Sequence, residues 1–247
     1  SSSRPSPKSM TAGGDETPPG AGGADRAFFG RRKGKRLRVA QEERLAGLLP
    51  RLRIGLPTEG ALDPASLFPE PKRLYRLEIG FGGGEHLAHE AATNPDIGYI
   101  GAEPFLNGVV KLLALVEERG LRNVRVHDED VTALLAALPP ESLDRVDLLY
   151  PDPWPKRRQR KRRFVSDASL SAIARALHPG GRFRFASDID DYAGWVLVRA
   201  ARSPALRWTA ERADDWRRPY PGWPGTRYEA KAEAAGRVPT YLEFERA

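Results

Sequence analysis

The sequence predicts an α/β protein built on a mostly parallel sheet with an antiparallel edge hairpin, and two observations lead there. From Leu74 onward short apolar runs alternate with stretches of helical periodicity, and the first run ends in a glycine-rich turn. Strands that alternate with helices in this way form βαβ units with right-handed crossovers, which pack as a parallel sheet covered by helices. The predicted strands lie at 74–80, 99–103, 124–126, 146–150 and 182–187. The predicted helices lie between and after them, at 85–92, 105–119, 131–138, 166–177 and 190–202. After Pro204 the pattern changes: Trp208, Trp216, Tyr220, Trp223 and Tyr228 crowd a segment rich in Pro, Gly and Arg. Two further runs, 227–234 and 239–245, read as the hairpin that closes the sheet's edge.

Ahead of this unit, which spans 74–247, the chain divides in two. Residues 1–25 are Ser, Pro, Gly and charged residues with almost nothing apolar, a composition that cannot offset the entropy of ordering, so a disordered tail is expected. Its first nine residues precede Met10, the only methionine, and read as an added remnant or as a processed start. Residues 26–73 form a basic extension. It opens with R-A-F-F-G-R-R-K-G-K-R-L-R at 26–38, and apolar residues at 45, 48, 49 and 52 predict a short helix over 41–52.

Composition narrows the function. A formal charge of +7 and a pI near 9.8 favour a polyanionic partner, because neutralised phosphates release counterions. The absence of cysteine excludes disulfides and thiolate metal sites, and four scattered histidines make no zinc cluster, so no metal is expected. No apolar run is long enough to span a membrane, and a soluble, cytoplasmic protein is the expectation. Oligomeric state, monomer or homodimer, stays open.

The loops after the strands carry the chemistry, since open α/β sheets bind ligands beyond their strand carboxyl ends. The first strand runs into L-E-I-G-F-G-G-G, Leu77 to Gly84, where Gly80 and Gly82 allow a tight turn and close ligand approach. A dinucleotide fingerprint needs glycine at 85, which is Glu85, and Glu78 and Glu85 would repel a diphosphate. A cationic cofactor such as S-adenosyl-L-methionine suits this turn better than NAD. Glu103 ends the second strand, placed to bind ribose hydroxyls. Asp130, after the third strand, either faces an adenine amino group or caps the helix from Val131, and Asp128 is its rival. The fourth strand ends in Y-P-D-P-W-P-K, where prolines hold Asp152 rigidly and Trp154 offers a face to a flat base. Lys156 to Arg163 then place seven cations in eight residues, a landing strip for a phosphate backbone.

These segments, with G-A-E at 101–103, D-P-W-P-K at 152–156 followed by K-R-R, A-S-D at 186–188 and T-R-Y-E at 226–229, resemble the bacterial tRNA (guanine-N7)-methyltransferases over residues 28 to 246. The resemblance implies a Rossmann-like, seven-stranded class I methyltransferase sheet and transfer of a methyl group from S-adenosylmethionine to guanosine 46 in the variable loop of tRNA. It implies cofactor contacts from Glu78, Gly80, Gly82, Glu103, Asp130 and Asp152, with Asp152 catalytic. It further implies substrate contacts from Lys156, Asp188, Thr226, Arg227, Tyr228 and Glu229. Gln159 departs from the family, whose members often carry His there. Other readings are the same fold acting on another RNA site or a protein, and a non-catalytic RNA-binding protein.

Overall fold

A computed structural model describes residues 34–247; the expected tail and most of the basic run at 26–38 lie outside the described residues. The secondary elements, in chain order, are α1 (Val39–Leu52), β1 (Leu74–Ile79), α2 (Glu85–Thr93), β2 (Ile97–Ala102), α3 (Leu106–Arg119), β3 (Val124–His127) and α4 (Val131–Ala137), followed by β4 (Leu143–Leu149) and α5 (Asp167–Ala176). They continue with β5 (Leu177–Ser187), α6 (Asp190–Ala200), β6 (Leu206–Trp208), α7 (Asp214–Arg217), α8 (Arg227–Ala234) and β7 (Thr240–Arg246). A 3-10 turn, Arg157–Arg162, carries most of the second basic run.

One seven-stranded sheet has the order β3-β2-β1-β4-β5-β7-β6, with β1 to β5 parallel and β7 and β6 antiparallel at the edge. The chain winds outward from β1 to β3 and then returns to β4 on the other side of β1. The carboxyl ends of β1 and β4 therefore form the switch point where such sheets bind ligands. Strand alternation splits the core between two faces: Ile97 and Tyr99 of β2 pack with α1, α2 and α3, whereas Ile100 and Ala102 face the layer of α4, α5 and α6. The buried guanidinium of Arg145 donates to Asp147 at 2.9 Å and to Glu90 at 2.5 Å, tying β4 to α2. Among the described residues no helix is long and apolar enough to cross a membrane.

One predicted element is wrong. Residues 227–234 form helix α8, and β7 takes its antiparallel edge partner from Leu206–Trp208 instead. The reason is local: Thr226 accepts from the Glu229 N–H while the Glu229 side chain takes the Thr226 N–H, a capping box that starts a helix, and alanine, lysine and glutamate propagate it.

Candidate active site

A cleft of about 580 Å³ opens at the switch point. Its floor is the glycine turn after β1, where Gly80 and Gly82 have φ of +68° and +57°, a region that disfavours side chains. Gly108 of α3 lets the helix close on that turn, since a Cβ there would stand 2.2 Å from the Gly82 carbonyl oxygen. The turn is held by Glu103 at the end of β2, whose carboxylate accepts from the Gly82 N–H and the Phe105 N–H, both at 2.9 Å. Burial pushes the Glu103 carboxyl above its ordinary range; the two N–H donors oppose this, and the nearby Asp152 and Glu78 charges add to it. Glu103 and Asp152 thus place two carboxylates at the floor of a cleft whose rim carries Arg162 and Arg227.

Asp152 enters from the loop after β4. The residues that flank its prolines, Tyr150 and Trp154, have φ of +50° and +41°. For side chains this large such conformations are strained, and they persist only where neighbouring contacts impose them. Arg163 grips the loop between the two. Its side chain is fully buried, with the guanidinium 4.7 Å from the Tyr192 ring centroid and 5.1 Å from that of Trp195. It donates to the Pro153 carbonyl at 2.8 Å and pairs with Asp191. Arg163 thus pins the D-P-W loop to α6, and the basic run is not uniformly a landing strip: its last cation is a structural anchor. Arg160 is partly engaged, 2.8 Å from Asp191, while Arg162 lies over the Trp154 ring at 4.9 Å and lines the cleft.

On the opposite rim α8 presents Arg227 and Tyr228. A Cβ on Gly82 would meet the Tyr228 hydroxyl at 3.2 Å, so this ring lies across the glycine turn. Tyr228 is near-parallel to Tyr150, 19° between planes and 6.4 Å between centroids, and Arg227 donates to the Tyr228 hydroxyl at 3.0 Å.

An acidic floor, an aromatic rim and an adjoining cationic strip are a general arrangement, and comparison with known proteins decides which family uses it here. A family profile described as "Putative methyltransferase" matches residues 72–241. A protein named tRNA (guanine-N(7)-)-methyltransferase from Azorhizobium caulinodans is 60% identical over 220 residues, covering 89% of this chain and 95% of that protein. Its namesake from Agrobacterium fabrum is 56% identical over 223 residues, covering 90% and 96%. The chain belongs to the tRNA (guanine-N7)-methyltransferase family. Among solved structures, PH0851 matches with a TM-score of 0.51 at 14% identity, covering 71% of this chain and 43% of that one, a likeness of fold alone.

Of the residues that the family resemblance singles out, Gly80, Gly82, Glu103, Asp152, Arg227 and Tyr228 line the cleft together. The others, Glu78, Asp130, Lys156, Asp188, Thr226 and Glu229, are not among the residues that line it. Glu78 is buried beneath the turn, its Oε2 2.7 Å from His86 Nδ1, and His86 packs on Trp223 at 4.9 Å. Burial lowers the affinity of His86 for a proton, but Glu78, Asp147 and Glu90 together outweigh it and the net shift is upward. Asp130 caps α4, accepting from the Thr132 N–H at 2.8 Å, and its neighbour Val131 lines the cleft. Its rival Asp128 is turned to Arg53 at 2.5 Å. Lys156 is exposed at the start of the 3-10 turn. Asp188 accepts from Arg237 at 2.6 Å. Glu229 is buried and its oxygens are engaged by Trp223 Nε1 at 2.6 Å, by the Thr226 N–H and by the Tyr241 hydroxyl. Sequence reasoning did not single out Tyr150, Phe105 or Arg162 as cleft residues. Position after a strand end was the available signal for the first two.

Proposed function

We propose that this chain transfers a methyl group from S-adenosyl-L-methionine to N7 of guanosine 46 in the variable loop of tRNA, working in the cytoplasm without a metal. The observation that carries this reading is the pairing of Glu103 with Asp152 across one cleft at the switch point, beside the cationic strip, in a member of this family. The donor set fits the cofactor: Glu103 beside the glycine turn, with Asp152, would repel a diphosphate there, and Phe105, Val131 and Leu148 supply apolar walls for a flat ring.

S-adenosylmethionine, when bound, supplies an activated methyl group on a cationic sulfonium. Glu103 would accept hydrogen bonds from the ribose hydroxyls, Gly80 and Gly82 would let the cofactor approach the backbone, and Asp130 would bind the adenine amino group. Glu78 adds negative potential from below. Guanine N7 carries a free lone pair, so no residue needs to act as general base, and the methylated ring is a cation. Asp152, held rigid in its strained loop, stabilises the charge that develops there, and fixed electrostatics of this kind act without reorganisation. Tyr228 and Arg227 position the base at the rim, and Lys156 and Asp188 contact substrate. Because the oxygens of Glu229 are engaged within the protein, Glu229 serves the substrate by holding Thr226 to Tyr228 in place. The test is to incubate the protein with labelled S-adenosylmethionine and unmodified tRNA and to map the label. Label at guanosine 46 is expected, and label on another nucleotide or on protein overturns the assignment.

A further inference from the structure

The basic run beside the cleft does not end at Arg163. A shallow cleft of about 460 Å³ continues from Arg157 and Lys161 across Trp195 to Arg199 of α6. A second, of about 490 Å³, begins at that same Arg199 and runs between α5 and α6 to Arg175, Arg202 and Arg246. The two share Arg199 and make one furrow. Asp167 is the single carboxylate among its lining residues, and it lies 3.9 Å from Arg199 while remaining mostly exposed.

Several arginines elsewhere are matched by carboxylates. At the sheet edge Arg182, Arg184 and Arg207 are each matched to Glu243 or Glu245, and within the sheet Arg76 and Arg145 are matched to Glu90, Asp144 and Asp147. In the furrow, Arg160 and Arg163 share Asp191, whereas Arg175 and Arg246 donate to the backbone oxygens of Leu135, Ala174 and Ala247. Arg199 lies flat on the Trp195 indole, 3.3 Å from its centroid, and Trp195 is itself fixed by donating to the Val165 carbonyl at 2.8 Å. A guanidinium stacked in this way is oriented before any ligand arrives, and its planar fork suits phosphate oxygens. Crowded cations cost stability unless a polyanion neutralises them. Residues 195, 199 and 202 follow one another at helical spacing, so a single face of α6 and its following turn carries the track.

We infer that this furrow is a second tract for the phosphodiester backbone of the RNA substrate, extending the strip at 156–162 away from the cleft along α6. The inference rests on the proposed function for its partner. It separates the residues that grip the target nucleotide from a sequence-independent track that holds the rest of the molecule.

The test measures binding of unmodified tRNA by fluorescence anisotropy from 50 to 200 mM salt, with the full chain and two variants. Arg199→Gln/Arg202→Gln removes both charges; Arg202→Glu alone reverses an exposed one and leaves the Trp195 packing untouched. Two lost phosphate contacts should flatten the log–log salt slope by about 1.4 to 1.8, so the parent's advantage over the double variant shrinks by about 7- to 12-fold across that range. KM for tRNA should rise in both variants, with kcat and S-adenosylmethionine affinity unchanged. A parental slope in both variants overturns the inference. So does a higher KM in the double variant alone with no change of slope, which would mark a packing defect. Loss of binding to phosphatidylserine vesicles with tRNA binding intact would assign the furrow to membranes and overturn it too. If the parent methylates no tRNA yet the slopes differ as stated, the proposed activity fails and the track stands.

Discussion

Replacing Arg163 with methionine tests whether the loop that carries Asp152 is held from behind. The side chain is fully buried, so the substitution keeps its bulk and removes its charge. Lost with the charge is the hydrogen bond to the Pro153 carbonyl, worth about 1.5–3 kcal/mol for a charged donor. The two ring contacts, to Tyr192 and Trp195, add about 1–2 kcal/mol together. The pair with Asp191 adds at most about 1 kcal/mol, because that carboxylate is 46% exposed and rehydrates when released. Methionine returns about 1 kcal/mol by its own packing, and the net loss is about 3 kcal/mol. Urea unfolding monitored by tryptophan fluorescence measures it. The released Pro153 carbonyl also frees Asp152, and turnover at saturating substrates should fall by ~10-fold or more, since misplacement of a positioned group by about 1 Å can cost 100-fold. A loss of stability below about 1 kcal/mol with parental turnover would refute the anchoring role.

Three further outcomes follow from the same geometry. Asp152→Asn keeps size and one acceptor but deletes the charge; turnover with S-adenosylmethionine saturating should fall about 100-fold or more, should not recover at high pH because N7 has no proton to lose, and tRNA binding should persist. Glu103→Ala should weaken S-adenosylmethionine binding in calorimetry by about 1.5–3 kcal/mol for each ribose hydrogen bond, with tRNA affinity unchanged; in the parent, the upward shift of this carboxyl by burial predicts that cofactor affinity falls on acidification from a pH above the ordinary 4.5. Burial pushes the Glu90 carboxyl up, but Arg145, with His86 and Arg76, outweighs it and holds it below the usual 4.5; its contribution to stability is therefore present above that pH and lost as pH falls through the lowered value, and Glu90→Gln should remove that part of the acid slope in unfolding measured between pH 6 and 3.

Local pattern carried most of the fold. The five parallel strands are legible because buried strands read as short apolar runs, and their helices because each is bounded by a turn or cap. The error at 227–234 has a local cause as well, since the T-x-x-E signal of a capping box stood in the sequence and outranked a weak strand pattern. Other features were not legible because their causes are non-local. Nothing in K-R-R-Q-R-K-R-R distinguishes Arg163 from its neighbours; Tyr192 and Trp195, about 30 residues later, bury it. The left-handed backbone at Tyr150 and Trp154 is similarly hidden, because neither is glycine and the strain is imposed by tertiary contacts. The engagement of Glu229 by Tyr241 and Trp223 could not be read from the T-R-Y-E motif either.

The central claim, that the nucleophile is N7 of guanosine 46 and that this chain methylates it, is tested most directly by comparing two tRNAs that differ in one atom. One carries guanosine at position 46 and the other 7-deazaguanosine, whose ring presents C–H where guanine has the N7 lone pair. With labelled S-adenosylmethionine, the account predicts one methyl group on the first tRNA at that nucleotide, none on the second, and comparable binding of both. Equal incorporation into the two would contradict it.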